Sequence, residues 1–258
     1  MRLAISGKGG VGKTTLVAVL ARLFADDGQA VIAIDADLDS SLASALGVPH
    51  PEKLKPIAEM DDLIAERTES GPKGYGKLFK LNPTVTDLPE KFSVVHKGVR
   101  LMVLGAANKR GGAGCACPEN VFLKTLMNHL VLQRDETLIV DMEAGTEHLG
   151  RATCEAIDAM IVVVEPGRRS TAIAEHVRKM AKDIGIKRVF LVANKVRSPR
   201  DLEMLRESLP KGVPLLGTIG FDEALMTADL EGRPVDEIKG RLFDEVRAIR
   251  QELMRQLK

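Results

Sequence analysis

The chain has 258 residues, 45% of them hydrophobic, enough to bury one large core, and its 37 basic and 36 acidic side chains leave a formal net charge of +1. Near-neutral charge argues against a dominant nucleic-acid footprint, so no nucleic-acid partner is expected. No apolar run approaches membrane-spanning length, no signal peptide precedes the first strand, and three cysteines make no disulfide framework, so a cytoplasmic protein with no membrane span is expected.

Residues 2–6 read as a buried strand leading into Gly7-Lys-Gly-Gly-Val-Gly-Lys-Thr-Thr15. Gly7, Gly12, Lys13 and Thr14 fit the P-loop spacing G-x-x-x-x-G-K-[ST], in which glycines let backbone N–H groups turn onto the β- and γ-phosphates. Leu16, Val17, Leu20 and Leu23 give the apolar stripe of a following helix, whose N-terminus completes the anion site. The expected nucleotide-binding set is Gly7, Lys8, Gly9, Gly10, Val11, Gly12, Lys13, Thr14 and Thr15. Lys13 is assigned to the β/γ oxygens and the Thr14 hydroxyl to Mg²⁺. With alternating strand and helix signals throughout, the loop predicts a single α/β P-loop NTPase domain over residues 1–258, with a mostly parallel, doubly wound central sheet flanked by helices.

A second strand, 30–34, runs into Asp35-Ala-Asp37-Leu-Asp39, three carboxylates at alternate positions at the carboxyl end of a strand, where open α/β sheets bind ligands. A helix is expected over 40–46. Residues 47–98, with several prolines and a Gly-Pro-Lys-Gly-Tyr-Gly run, read as an irregular insertion on the surface carrying one helix at 57–67, with His96 a surface residue. A strand over 99–104 precedes Gly-Ala-Gly-Cys115-Ala-Cys117, which opens a helix at 118–132 whose N-terminus favours thiolate. Two such loops meeting at a two-fold axis would present four thiolates, suited to tetrahedral Zn²⁺, an iron–sulfur cluster or square-planar Ni²⁺; two incidental thiols are the alternative.

Residues 137–141 form a Walker B pattern ending in Asp141, expected to hold Mg²⁺ directly or through a water. In the segment that follows, Gly145 is expected to bring its N–H near the γ-phosphate, so that nucleotide state moves the stretch containing His148. Further strands are expected at 159–165, 188–193 and 215–219, and a helix at 171–184. The stripe Leu242, Val246, Ile249, Leu253, Leu257 marks a C-terminal helix within 240–258 that packs on the body rather than on a membrane.

The early lysine of the glycine-rich loop, Lys8, makes it resemble the deviant Walker A loop of the nitrogenase-iron-protein, Min and Par class of ATPases. The deviant loop, Asp-Ala-Asp-Leu-Asp-Ser, Cys-Ala-Cys and Asp-Met-Glu-Ala-Gly-Thr-Glu-His-Leu, in that order, resemble the CooC-type ATPases that mature nickel enzymes, above all carbon monoxide dehydrogenase. The resemblance spans nearly the whole chain. It implies an ATP-hydrolysing homodimer, dependent on nucleotide and metal, with Lys8, Lys13 and Asp37 as its catalytic residues. Lys8 would reach the partner subunit's phosphates, and Asp37 would position or deprotonate the attacking water and join Thr14 and Asp141 at Mg²⁺. Asp35, Asp39, Gly145 and His148 would be switch residues, Asn194 would meet the adenine edge and Lys195 would flank the base.

The resemblance further implies that Cys115 and Cys117 bind Ni²⁺, or Zn²⁺ in vitro, for delivery to carbon monoxide dehydrogenase or acetyl-CoA synthase. Gly-Ala-Gly-Cys115 is also similar to the first cluster-cysteine loop of the nitrogenase iron protein, but the second cluster cysteine would fall at position 148, which is histidine. Cys154 is expected in the core. Where the class often has a proline after the last strand, this chain has Gly220-Phe221. Two other functions are compatible with these motifs: a Min/Par-type positioning ATPase with incidental cysteines, and an ATP-dependent reductase carrying a bridging 4Fe–4S cluster.

Overall fold

Runs of aliphatic and β-branched residues form the strands β1 (Arg2–Gly7), β2 (Val31–Ala36), β3 (Ser93–His96), β4 (Val99–Val103), β5 (Thr137–Met142), β6 (Ala159–Val164), β7 (Val189–Val196) and β8 (Leu215–Gly220). In this computed structural model, which describes all residues except 38, 71–77, 106–116, 134, 144–150 and 239, they make one sheet in the order β3-β4-β2-β5-β1-β6-β7-β8. Every neighbouring pair is parallel except β3–β4. Strands β2, β5 and β6 are buried at every residue, as expected of a parallel sheet covered on both faces.

The helices are α1 (Lys13–Asp26), α2 (Leu42–Ala45), α3 (Asp61–Thr68), α4 (Leu88–Phe92), α5 (Pro118–Gln133), α6 (Arg151–Glu155), α7 (Arg168–Asp183), α8 (Pro199–Ser208), α9 (Glu223–Leu230) and α10 (Leu242–Leu257). Successive strand residues point to opposite faces, and two cores result. Leu3 and Ile5 pack with Leu16 and Leu20 of α1 and Ile249 and Leu253 of α10. Ala4, Ile34 and Val140 pack on the other face with Phe122, Leu126 and Leu130 of α5 and Val177 of α7. The chain therefore forms a single α/β domain with a doubly wound sheet. Its order reverses around β1, so the crevice of the sheet lies at the carboxyl ends of β1, β2 and β5.

The C-terminal helix packs on the body as its stripe predicts. Leu242, Val246, Ile249 and Leu253 are buried, and Gly217 of β8 lets α10 come so close that a Cβ there would lie 2.7 Å from Ile249 Cγ1. Arg250 pairs with Asp27 at 2.8 Å and lies over the Phe24 ring. Among the described residues, no helix is long and apolar enough to cross a membrane.

Residues 47–98 contain more structure than one helix on the surface. The segment expected as helix 57–67 divides into a 3-10 turn, Ile57–Glu59, and α3, and Ile57, Ile64, Val85 and Leu88 are core residues. Strand β3 then closes the sheet edge in antiparallel register. These apolar anchors stand singly among prolines and charges, so periodicity does not reveal them, and a four-residue strand is too short to alternate visibly. His96, expected on the surface, is half-buried, its Nε2 enclosed and without a hydrogen-bond partner among the described residues, and burial lowers its pKa.

Candidate active site

β1 ends at Gly7, where a Cβ would stand 2.5 Å from the Val163 carbonyl oxygen of β6, and α1 begins after Gly12, whose φ is 91°. Glycine is needed at both positions, the first by space and the second by conformation as well. The N-cap residue of α1 is Gly12, which has no side chain to occupy the first amides, so it leaves them to an anion. The loop between them forms one wall of a cavity of about 620 Å³, whose other walls come from Asp37, Asp39 and Ser41 after β2, Glu143 after β5, Asn194 and Lys195 at the end of β7, and Gly220, Phe221, Asp222, Leu225 and Met226.

The carboxylates predicted from the sequence converge here. Lys13 is buried, and its Nζ lies 3.5 Å from Asp37 Oδ2. Asp35 and Asp141 are register partners on adjacent parallel strands, both fully buried. Asp35 is an anchor: Oδ2 accepts the Leu42 N–H at 2.9 Å and Oδ1 the Asp37 N–H at 3.2 Å, fixing the start of α2 and the turn after β2. Asp39 is exposed, and its N–H donates to Asp37 Oδ1 at 3.3 Å. Thr14 Oγ1 accepts from the Ser41 hydroxyl at 3.4 Å, which ties α1 to the same turn.

Asp141 differs from these residues, because among the described residues neither of its carboxylate oxygens has a hydrogen-bond partner in spite of full burial. Burial pushes its pKa up to about 7, opposed by the neighbouring Thr14 hydroxyl and Lys13 and reinforced by the charge of Asp35. Asp35 is pushed up to about 6, again by burial, with the two backbone N–H groups opposing. A buried carboxylate with both oxygens unpartnered, beside a threonine hydroxyl and a second carboxylate, is a donor set for a hard divalent cation such as Mg²⁺.

The end of the cavity formed by Gly220 and Phe221 is braced from outside. Gly220 N–H donates to Glu245 of α10 at 3.1 Å, Arg241 donates to the Phe221 carbonyl, and Arg197 lies over the Phe221 ring. Asn194 lines the cavity as expected, but its amide nitrogen donates to the Val11 carbonyl at 2.7 Å and its oxygen accepts the Lys195 N–H at 2.8 Å. Lys195 Nζ in turn reaches the Gly10 carbonyl. Lys8 is half-buried in the loop, its carbonyl taking the Val11 N–H at 3.4 Å.

Sequence reasoning left out Ser41, Glu143, Leu225 and Met226. The first two stand inside motifs already recognised, whereas α9 carries no pattern that marks it as a cavity wall. Cys117 is a half-buried free thiol just before α5, and Cys154 is a buried core thiol whose pKa burial raises to about 11. Cys115, Gly145 and His148 lie outside the described residues. Among the described residues, no cluster of three or more His, Cys, Asp or Glu side chains is arranged to hold a metal.

Residues 3–235 match the CobQ/CobB/MinD/ParA nucleotide binding domain. The chain is also 43% identical to the carbon monoxide dehydrogenase accessory protein CooC of Rhodospirillum rubrum, over 98% of this chain and 96% of that protein. It belongs to this family, in its CooC-type branch. An uncharacterised ATP-binding protein of Methanocaldococcus jannaschii is 42% identical over 92% of this chain and 91% of its own. Among solved structures, the cell division ATPase MinD of Pyrococcus furiosus (TM-score 0.66, 21% identity, 99% and 100% coverage of the two chains) shares the fold. So does a ParA family ATPase of Chlorobium tepidum (TM-score 0.66, 19% identity, 98% and 97%). A member of this family with a complete phosphate loop is an ATPase.

Proposed function

We propose that the protein is a nucleotide-gated nickel carrier: a cytoplasmic dimer that hydrolyses ATP with Mg²⁺, holds Ni²⁺ on Cys115 and Cys117 of both subunits, and passes it to a nickel enzyme such as carbon monoxide dehydrogenase or acetyl-CoA synthase. The observation that carries this reading is the 43% identity, over 98% of the chain, to a carbon monoxide dehydrogenase accessory protein. The surroundings of Cys117 support it. The Cys117 carbonyl accepts the Val121 N–H at 3.0 Å, so the thiol stands at the N-terminus of α5, half-buried and free. One chain with a single intervening residue does not comfortably supply four ligands, whereas a two-fold axis doubles what each loop presents.

In the hydrolytic step, Thr14 and Asp141 would hold Mg²⁺ with Asp37 beside them; the bound ion neutralises charge on the phosphates. Entering phosphates compete for Lys13, drawing it from Asp37 to the β/γ oxygens. Asp37 is then free to accept a proton from water as the water oxygen bonds to the γ-phosphorus and the bond to the ADP oxygen breaks. Lys8 adds positive charge at the partner subunit's phosphates. Through Asp35 and Asp39 the displacement reaches α2, and Gly145 and His148 carry it on the other side. Asn194 keeps one amide hydrogen and one lone pair for the adenine edge, with Lys195 flanking the base.

The test is metal stoichiometry and dimer fraction for the wild type, Cys115→Ser and Cys117→Ser, with ATP and Ni²⁺. About one ion per dimer is expected, lost in either variant. Wild-type metal content and dimer yield in both variants would overturn the carrier reading and leave that of a positioning ATPase.

A further inference from the structure

The end of β7 does more than face the base. Asn194 is 3% exposed and donates to the Val11 carbonyl, and Lys195 Nζ donates to the Gly10 carbonyl at 2.5 Å. Those two oxygens belong to successive peptide units of the phosphate loop. A peptide unit is planar and trans, so fixing its C=O fixes the N–H on its opposite edge: for the Gly10 carbonyl the Val11 N–H, which closes the loop onto the Lys8 carbonyl, and for the Val11 carbonyl the Gly12 N–H, which is left for a ligand. The contact is close enough to dictate sequence, since a Cβ on Gly12 would come within 2.2 Å of Asn194 Nδ2.

Lys195 also adopts an unusual backbone conformation to make its contact. Its φ is 57°, a left-handed value in a non-glycine residue, at the irregularity between β7 and β8. Its ammonium is aimed further by Glu165 at 3.7 Å. A residue whose only task was to flank a base would gain nothing from reaching back to a loop carbonyl.

We infer that Asn194 and Lys195 are positioning residues for phosphate binding, a clamp that holds the Gly10 and Val11 carbonyls outward so that the loop's N–H groups are set for the phosphates before any ligand arrives. Pre-set donors avoid an ordering cost on binding, so the clamp contributes to affinity without touching the phosphates. The inference rests on the glycine-rich loop being a phosphate site and is independent of the nickel-carrier reading.

The variants are Asn194→Asp, which keeps the acceptor for the Lys195 N–H but removes the donor to Val11, and Lys195→Gly, which removes the ammonium while glycine takes the left-handed conformation without strain. Titration calorimetry with Mg²⁺ compares ATP with inorganic tripolyphosphate, which has no base to read. Each variant should lose about tenfold in affinity for tripolyphosphate, and at least as much for ATP, whose base the same two residues meet. In the nucleotide-free protein, amides of residues 7–15 should exchange hydrogen faster in both variants while those of β2 and β5 keep wild-type protection, even though the buried carboxylate of Asn194→Asp lowers the melting temperature. Loss confined to ATP, with tripolyphosphate binding and loop exchange unchanged, would overturn the clamp and leave Asn194 and Lys195 as base readers only. Should a variant bind neither ligand, the exchange rate decides: unchanged protection of the loop overturns the inference. Wild-type protein that binds neither ATP nor tripolyphosphate would remove the phosphate-site assignment itself.

Discussion

Replacing Asp141 by Asn should stabilise the nucleotide-free protein while abolishing Mg²⁺-dependent hydrolysis. The carboxylate is buried with both oxygens unpartnered among the described residues, and its pKa rises from 3.8 to about 7. Keeping it charged in the fold at pH 8 therefore costs about 4 kcal/mol, at about 1.4 kcal/mol for each tenfold in proton affinity. The sign follows from the folded value exceeding the unfolded one. The fold has its full stability with respect to this group below pH 3.8, loses it progressively as pH rises toward 7, and stays at the lower level above that. The asparagine variant lacks this loss, so its advantage should be largest at about pH 8 and vanish near pH 4. Urea unfolding in EDTA, without nucleotide, at about pH 8 and about pH 4.5 reads the difference, and a phosphate-release assay reads hydrolysis. If Asp141→Asn proves no more stable than wild type at the higher pH, the account of Asp141 as an uncompensated buried charge is refuted. Full Mg²⁺-dependent turnover in the variant would refute its role at the metal.

Asp37→Asn should bind ATP yet turn it over at least about a hundredfold more slowly, since the proton acceptor is lost while the phosphate cradle remains; wild-type release of phosphate would remove Asp37 from that role. Lys8→Ala should reduce ATP-driven dimerisation and leave monomer binding of ATP less affected, as light scattering beside calorimetry would report. Gly217→Ala should destabilise the fold by about 1–3 kcal/mol, because the new Cβ would stand 2.7 Å from Ile249 Cγ1, and the shift appears in the urea midpoint.

What was legible in the sequence is what is local in it. The strand, glycine loop and first helix lie within the first 26 residues, and each signals itself by spacing or periodicity, as do β5 with Asp141 and the stripe of α10. Parallel strands buried on both faces also announce themselves as continuous apolar runs, which is why β2, β5 and β6 could be placed before their neighbours were known. What depends on contact between distant segments was hidden. The hydrogen bond from Asn194 to Val11 spans 183 residues, and nothing near Asn194 indicates a loop carbonyl rather than a base as its partner. Asp35 and Asp37 look alike in the Asp-Ala-Asp-Leu-Asp run, but their places differ: Asp35, still within β2, is enclosed and anchors Leu42, whereas Asp37, just past its end, stands at the cavity facing Lys13. The core residues of 57–88 were missed for the same reason: each contributes one side chain to a cluster that also draws on α5.

The nucleotide-free site leaves its charges partly unmatched, and that imbalance links binding to movement. Among the described residues, Lys13 is the one buried cation of the cavity and stands near Asp37, while the Asp141 oxygens lack a hydrogen-bond partner. A ligand carrying phosphates together with a divalent cation supplies both missing charges: anions for Lys13 and a cation for Asp141. Its binding free energy therefore includes relief of the Asp141 penalty, and the protein should gain stability with ligand concentration as RT ln(1 + [L]/Kd). Phosphate without the cation satisfies Lys13 alone and leaves the buried carboxylate uncompensated, so ATP with Mg²⁺ should raise the melting temperature more than ATP in EDTA does. That extra increment should disappear in Asp141→Asn, in which there is no buried charge left for the cation to neutralise. Because Asp37 loses Lys13 in the same event, and its backbone N–H is held by Asp35, which also anchors α2, relief of charge in the core is mechanically tied to the turn after β2. The surface at that turn is thus the first to register which ligand is bound.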